Sequence, residues 1–148
     1  MRFDTILVPL DFSSHSSKAL DCAIELAKQF KGKVHLIHSY PIYVGAVSPY
    51  GIVLPESFDR DCRDAAEREI SKWSDKVRAA GVTVETTVTP SAPVEAIERV
   101  AEEIDADLIV MGSRGLTGLK HALLGSVAER TLRSAPCPVL TVKDEDAD

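Results

Sequence analysis

Residues 106–129 read ADLIVMGSRGLTGLKHALLGSVAE, and the order of residue types in them decides the fold. Leu108-Ile109-Val110-Met111 is an unbroken apolar run of strand length, the pattern of a strand buried on both faces. The run stops at Gly112, and Gly115, Gly118 and Gly125 follow at short intervals. Glycine lets a backbone bring its N–H groups close to a guest, because no Cβ blocks the approach. The stretch closes on Gly125-Ser126-Val127-Ala128-Glu129, in which Ser126 and Glu129 have the Ser-x-x-Glu spacing of a capping box at a helix start. Strand, glycine-lined loop and helix N-terminus together predict an anion site. Unpaired N–H groups and the partial positive charge of the helix start favour phosphate, and Arg114 and Lys120 add charge nearby. Taken singly, each glycine reads as structural; taken together after a buried strand, they read as the phosphate end of a nucleotide site. Neither the P-loop pattern nor the dinucleotide fingerprint is present, since the only Gly-Lys pair is the surface turn Gly32-Lys33.

Working outward, Thr5-Ile6-Leu7-Val8-Pro9-Leu10 is a second buried-looking run, and Asp11-Phe12-Ser13-Ser14 after it marks a strand end and a helix cap. A helix is predicted from about Ser16 to Lys31, stopped by Gly32, followed by a strand over Val34 to Ser39. Tyr40 to Pro55 has no period and reads as a long loop near the site. A charged amphipathic helix follows from about Glu56 to Ala80, with Ala65, Ala66, Ile70, Trp73 and Val77 inward. Val82 to Val88 alternates like an edge strand, and Pro93 suits the first turn of a helix that buries Val94, Ile97, Val100 and Ile104. After the glycine stretch come a helix from Ser126 to about Ser134 and a strand over Pro138 to Val142. Residues 1–143 form one domain in this reading, and the acidic tail 144–148 is expected to fray.

Alternating strands and helices imply an α/β, Rossmann-like (flavodoxin-like) five-stranded parallel sheet with helices on both faces. Ligands of such sheets sit beyond the carboxyl ends of the strands, where the strand order reverses. The first strand ends at Asp11 and the fourth at Gly112, so the reversal is expected between them. Asp11 then faces the phosphate loop, either as a helix cap or as a carboxylate for ribose hydroxyls or a hydrated metal ion.

The composition sets bounds. At 148 residues and 45% hydrophobic, one domain with an ample core is expected. A net charge of −6 argues against nucleic-acid or anionic-membrane binding. No apolar run approaches a membrane span and no leader pattern opens the chain, which reads as cytoplasmic. Cys22, Cys62 and Cys137 are odd in number and widely spaced, which predicts thiols rather than a disulfide framework. His35 and His38 lie three apart on a strand and face opposite sides, so they do not form a metal pair.

ILVPLDFS near the start, DLIVMGSRG, LLGSVAERTL and APCPVLTV together give the chain a resemblance, over nearly its whole length, to the ATP-binding branch of the universal stress protein family. The family signature Gly-x2-Gly-x9-Gly followed by Ser or Thr is met by Gly112, Gly115, Gly125 and Ser126. Ser91-Ala92-Pro93 departs from a turn where the family often has glycine. The resemblance implies that Asp11 contacts the nucleoside end and that the backbone around Ser39 reads the adenine edge. Gly112, Gly115, Gly125 and Ser126 would hold the phosphates, and Pro9, Met111, Arg114 and Val127 complete the nucleotide-binding set. It also implies a homodimer through the last strand, Val139, Leu140, Thr141 and Val142.

The expected function is that of a stress-response module that binds ATP, with Mg2+, and signals to a protein partner. A slow ATPase or phosphotransferase on the same site is the alternative. His121 is the one nearby candidate for activating water, which favours binding over efficient catalysis. A nucleotidyl-transfer enzyme is disfavoured, because Asp11-Phe12-Ser13-Ser14-His15 matches neither SGGxDS nor HxGH.

Overall fold

Alternate residues of each central strand are buried on opposite faces of one sheet, so the chain builds two cores. A computed structural model describes residues 1–41, 50–51, 55–115 and 124–147. Its strands are β1 (Thr5–Pro9), β2 (Lys33–Tyr40), β3 (Val84–Pro90), β4 (Leu108–Gly112) and β5 (Val139–Val142). Its helices are α1 (Ser14–Phe30), α2 (Phe58–Ala79), α3 (Pro93–Glu103) and α4 (Ser126–Ser134). All strand pairs are parallel, in the order β3-β2-β1-β4-β5. The strand order reverses between β1 and β4, as the two polar strand ends predicted.

On one face Ile6, Val8, Val34, Leu36, Leu108 and Val110 pack against Leu20, Ala23 and Ile24 of α1 and Ile70 and Val77 of α2. On the other, Leu7, Ile37, Ile109 and Met111 pack against Ala96, Ile97 and Val100 of α3 and Ala128 of α4. Ile6 and Leu7 are both 0% exposed, which is why the strands read as continuous apolar runs rather than alternating ones. Truncating either core residue to alanine is worth about 2–5 kcal/mol.

Two boundaries and one buried position differ from the sequence reading. The left-handed residue that ends α1 is Lys31, φ 57°, not Gly32. Gly32 is small for another reason: a Cβ there would run into the Phe3 carbonyl. Ala65 is exposed, because the buried stripe of α2 runs through Ala66, Ile70, Ser74 and Val77 and position 65 lies a helical step off it. β3 starts at Val84, since Gly81 turns at φ 79° and the Val82 N–H still bonds the Val77 carbonyl of α2. The acidic end carries a 3-10 turn at Glu145–Ala147, with Asp144 buried and Asp146 paired to Lys18. Most of the predicted Tyr40–Pro55 loop, with Gly118, Lys120 and His121, lies outside the described residues.

β3 and β5 are the sheet edges. Leu140 of β5 and Leu132 of α4 are exposed, at 38% and 44%. Among the described residues no helix is long and apolar enough to cross a membrane.

Candidate functional site

The carboxyl ends of β1, β2 and β4 open into one cavity of about 470 Å³, closed from the helix side by the first turns of α3 and α4. β1 contributes Pro9 and, just beyond it, Asp11 to the wall; β2 contributes Ser39; β4 contributes Met111 and Gly112. Arg114 and Gly115 follow on the loop, and Gly125, Ser126 and Val127 come from the start of α4. All ten residues singled out from the sequence therefore border the same space. Asp11 is the one carboxylate and Arg114 the one guanidinium among the described residues of that wall.

At the β1 end, the Leu10 N–H continues the ladder to Ile37 O at 2.8 Å, and the chain then turns away. The Asp11 Oδ1 accepts the Ser13 N–H and the Ser16 hydroxyl, each at 3.0 Å. The cap of α1 is Ser13, whose Oγ accepts the Ser16 N–H at 3.2 Å. Asp11 is thus not the cap; it closes the turn in front of it and stands at the cavity rim. Next to it, His38 Nδ1 donates to the Leu10 carbonyl at 2.7 Å, which assigns the ring proton to Nδ1 because a carbonyl only accepts.

The glycines are explained by close approach rather than by turning, since the only described glycines with positive φ are Gly51 and Gly81. A Cβ on Gly112 would sit 2.8 Å from His15 Cβ, so this glycine is small to let α1 pack on β4. A Cβ on Gly115 would run into Asp11 Oδ2, and one on Gly125 would lie 3.3 Å from Arg114 Cα. Each glycine has a protein neighbour that crowds an added side chain, Gly112 most severely, while its backbone lines the cavity.

The capping box is not formed. α4 has Gly125 as its N-cap, in extended backbone and without a side-chain cap, and Ser126 is its first helical residue. The Gly125 N–H donates to Ser113 O at 2.6 Å, which fixes the helix start one residue before the serine. Glu129 turns instead to Arg133, at 2.8 Å. Among the described residues no side chain caps the N-terminus of α4, and the turn that carries these amide groups borders the cavity through Ser126, Val127 and Ala128.

Sequence reasoning missed Ser16, His38, Pro93, Ala96, Ile97 and Leu124 in this wall. Pro93 at the first position of α3 was a usable signal, because every helix that follows a strand here starts at the same end of the sheet. His38 was weighed only with His35, and the two are indeed apart: His35 Nε2 lies 2.7 Å from Thr87 Oγ1 on β3. Among the described residues no group of three metal-binding side chains occurs. The three cysteines are free thiols, and burial pushes Cys22 and Cys137 above the ordinary thiol range.

The sequence model of the universal stress protein family matches residues 2–143. A universal stress protein of Methanocaldococcus jannaschii, MJ0531, is 38% identical over 95% of this chain and 82% of its own length. The solved structure of hypothetical protein MJ0577 superposes with a TM-score of 0.85 at 27% identity, over 99% of each chain. A universal stress protein solved in complex with cAMP superposes at 0.73 and 26% identity, over 97% of this chain and 98% of that one.

Proposed function

The chain belongs to the universal stress protein family, and on that premise we propose that it is a cytoplasmic stress-response protein that binds ATP and works as a homodimer. The observation that carries this reading is the uncapped N-terminus of α4, set in one cavity wall with Arg114 and with the Asp11 carboxylate. Amide groups at a helix start suit phosphate oxygens, and a carboxylate suits the donor hydroxyls of a ribose. Gly112, Gly115, Gly125 and Ser126 then take the phosphates, while Asp11, Pro9 and Ser39 flank the nucleoside. Met111 and Val127 add apolar wall, as does the first turn of α3. The family member solved with cAMP supports an adenine nucleotide as the class of ligand. With the one wall carboxylate taken by the ribose, Mg2+ fits as an ion carried mainly by the phosphates. The exposed Leu140 on the β5 edge supports pairing of two copies through Val139 to Val142.

The test is a calorimetric ATP titration, with and without Mg2+, on wild type and on Ser126→Asp. Ser126 is exposed at the first position of α4, where an acidic residue favours the helix and opposes a bound phosphate. The reading requires a folded variant whose affinity falls by about tenfold or more. Equal binding by both proteins removes the α4 N-terminus as the phosphate site. Phosphate release by the wild type over hours separates a binding protein from the alternative, a slow ATPase.

A further inference from the structure

Phe12 holds left-handed backbone, φ 64°, a conformation that a bulky aromatic residue rarely adopts. Such an outlier persists only where its surroundings over-determine it. Here they do. The Phe12 ring lies 4.3 Å from the His38 imidazole and 5.6 Å from the Trp73 indole, centroid to centroid. Both neighbours are themselves held. His38 is tied to the Leu10 carbonyl at 2.7 Å, and the Trp73 Nε1–H donates to Glu69 at 3.3 Å. Of the two residues flanking Phe12, Asp11 borders the cavity, and the Ser13 N–H closes back on its Oδ1 at 3.0 Å across the left-handed residue. The Ser16 hydroxyl, 3.0 Å from both Asp11 Oδ1 and the Ser13 carbonyl, has one proton to share between them. The Asp11 carboxylate is therefore not held by side chains alone; the turn at position 12 holds it against Gly115.

We infer that Phe12 is a positioning residue for Asp11, with its ring clamped by His38 and Trp73 so that the left-handed turn keeps the carboxylate at the cavity rim. The binding part of this inference rests on the nucleotide reading above; the geometric part does not. It also ties α2, through Trp73, to the order of the site.

Phe12→Gly isolates the ring, because glycine accepts the same backbone without strain. ATP affinities of wild type, Phe12→Gly, Asp11→Ala and the double variant form a cycle. The expected result is a loss of about tenfold from Phe12→Gly when Asp11 is present and none when it is absent, with Phe12→Tyr restoring wild-type binding. Equal losses in both backgrounds, or no loss, overturn the inference. In ligand-free protein the Ser13 amide proton, now bonded to a carboxylate, moves upfield in Phe12→Gly and stays in Phe12→Tyr. A Ser13 amide that does not move in Phe12→Gly overturns the inference whatever the ligand does. Should wild type ignore ATP, the nucleotide reading falls and the Ser13 amide alone decides. If Phe12→Gly does not fold, Trp73→Leu removes the far side of the clamp with Phe12 intact, and the same two readouts apply.

Discussion

Gly115 and Asp11 stand so close that a methyl group on the glycine would overlap the carboxylate Oδ2. The loop after β4 and the end of β1 thus meet, and the meeting depends on a missing side chain. Asp11 cannot swing aside freely, because its Oδ1 holds the Ser13 N–H and the Ser16 hydroxyl.

Gly115→Ala should therefore destabilise the fold by about 1 kcal/mol, the worth of the hydrogen bonds the carboxylate must loosen to make room. Asp11→Ala in the same chain removes the obstacle, so the double variant should be no less stable than Asp11→Ala alone. Urea midpoints of the four proteins measure this, and simple additivity would show that the two residues do not touch in solution.

Gly112→Ala should cost more, about 1–3 kcal/mol. Its new methyl meets the Cβ and backbone carbon of His15 and the Arg114 carbonyl at 2.8–3.0 Å, and none of these is the free end of a side chain. Relief requires α1 to move off β4. A urea midpoint equal to that of Gly115→Ala would mean that the helix yields as easily as a carboxylate does.

These two glycines also mark the limit of what the residue order reveals. The apolar runs Ile6–Val8 and Leu108–Met111, the helix stripe through Ala19, Leu20 and Ala23, and the Gly-x2-Gly-x9-Gly-Ser spacing were legible, because burial periodicity and glycine placement are local patterns. The neighbour that makes each glycine necessary was not, since His15 and Asp11 are about a hundred residues away in sequence. The helix α4 begins at Ser126 as its residues indicate, but its cap is Gly125 and not the serine of a capping box, and the Gly125 N–H is taken by Ser113, a contact no spacing rule contains. Pro93, Ala96 and Ile97 joined the cavity only once the topology had carried α3 to that edge.

Acid should weaken the fold through His35. Burial holds this imidazole below its ordinary value of 6.5, outweighing the opposing pull of Glu85, whose Oε2 lies 3.5 Å from Nδ1. The folded state then binds the proton less readily than the unfolded one. Stability is full above 6.5 and falls as pH drops below that value toward the folded one, by at most about 1.4 kcal/mol per pH unit. Glu85, held below the usual carboxylate range by the Lys33 hydrogen bond, is exposed and titrates below this window. Urea midpoints at about pH 7 and 5.5 should differ in wild type and converge in His35→Gln. An unchanged difference in the variant would place the acid sensitivity elsewhere.

The proposed dimer makes its own demand on Leu140. β5 is an edge strand that pairs only with β4 among the described residues, and its central leucine is 38% exposed with Leu132 also open on α4. An edge that carries an apolar side chain and no charge is one that invites pairing, which proteins prevent at free edges with charged residues. Leu140→Asp places two carboxylates against each other if two copies meet through Val139 to Val142. Light scattering should then give twice the chain mass for wild type and the single mass for the variant at the same concentration. The fold of each copy should survive, because a half-exposed edge residue contributes little, within about 1 kcal/mol. A variant that keeps the double mass puts the interface on another surface, and a wild type of single mass leaves the β5 edge unpaired in solution.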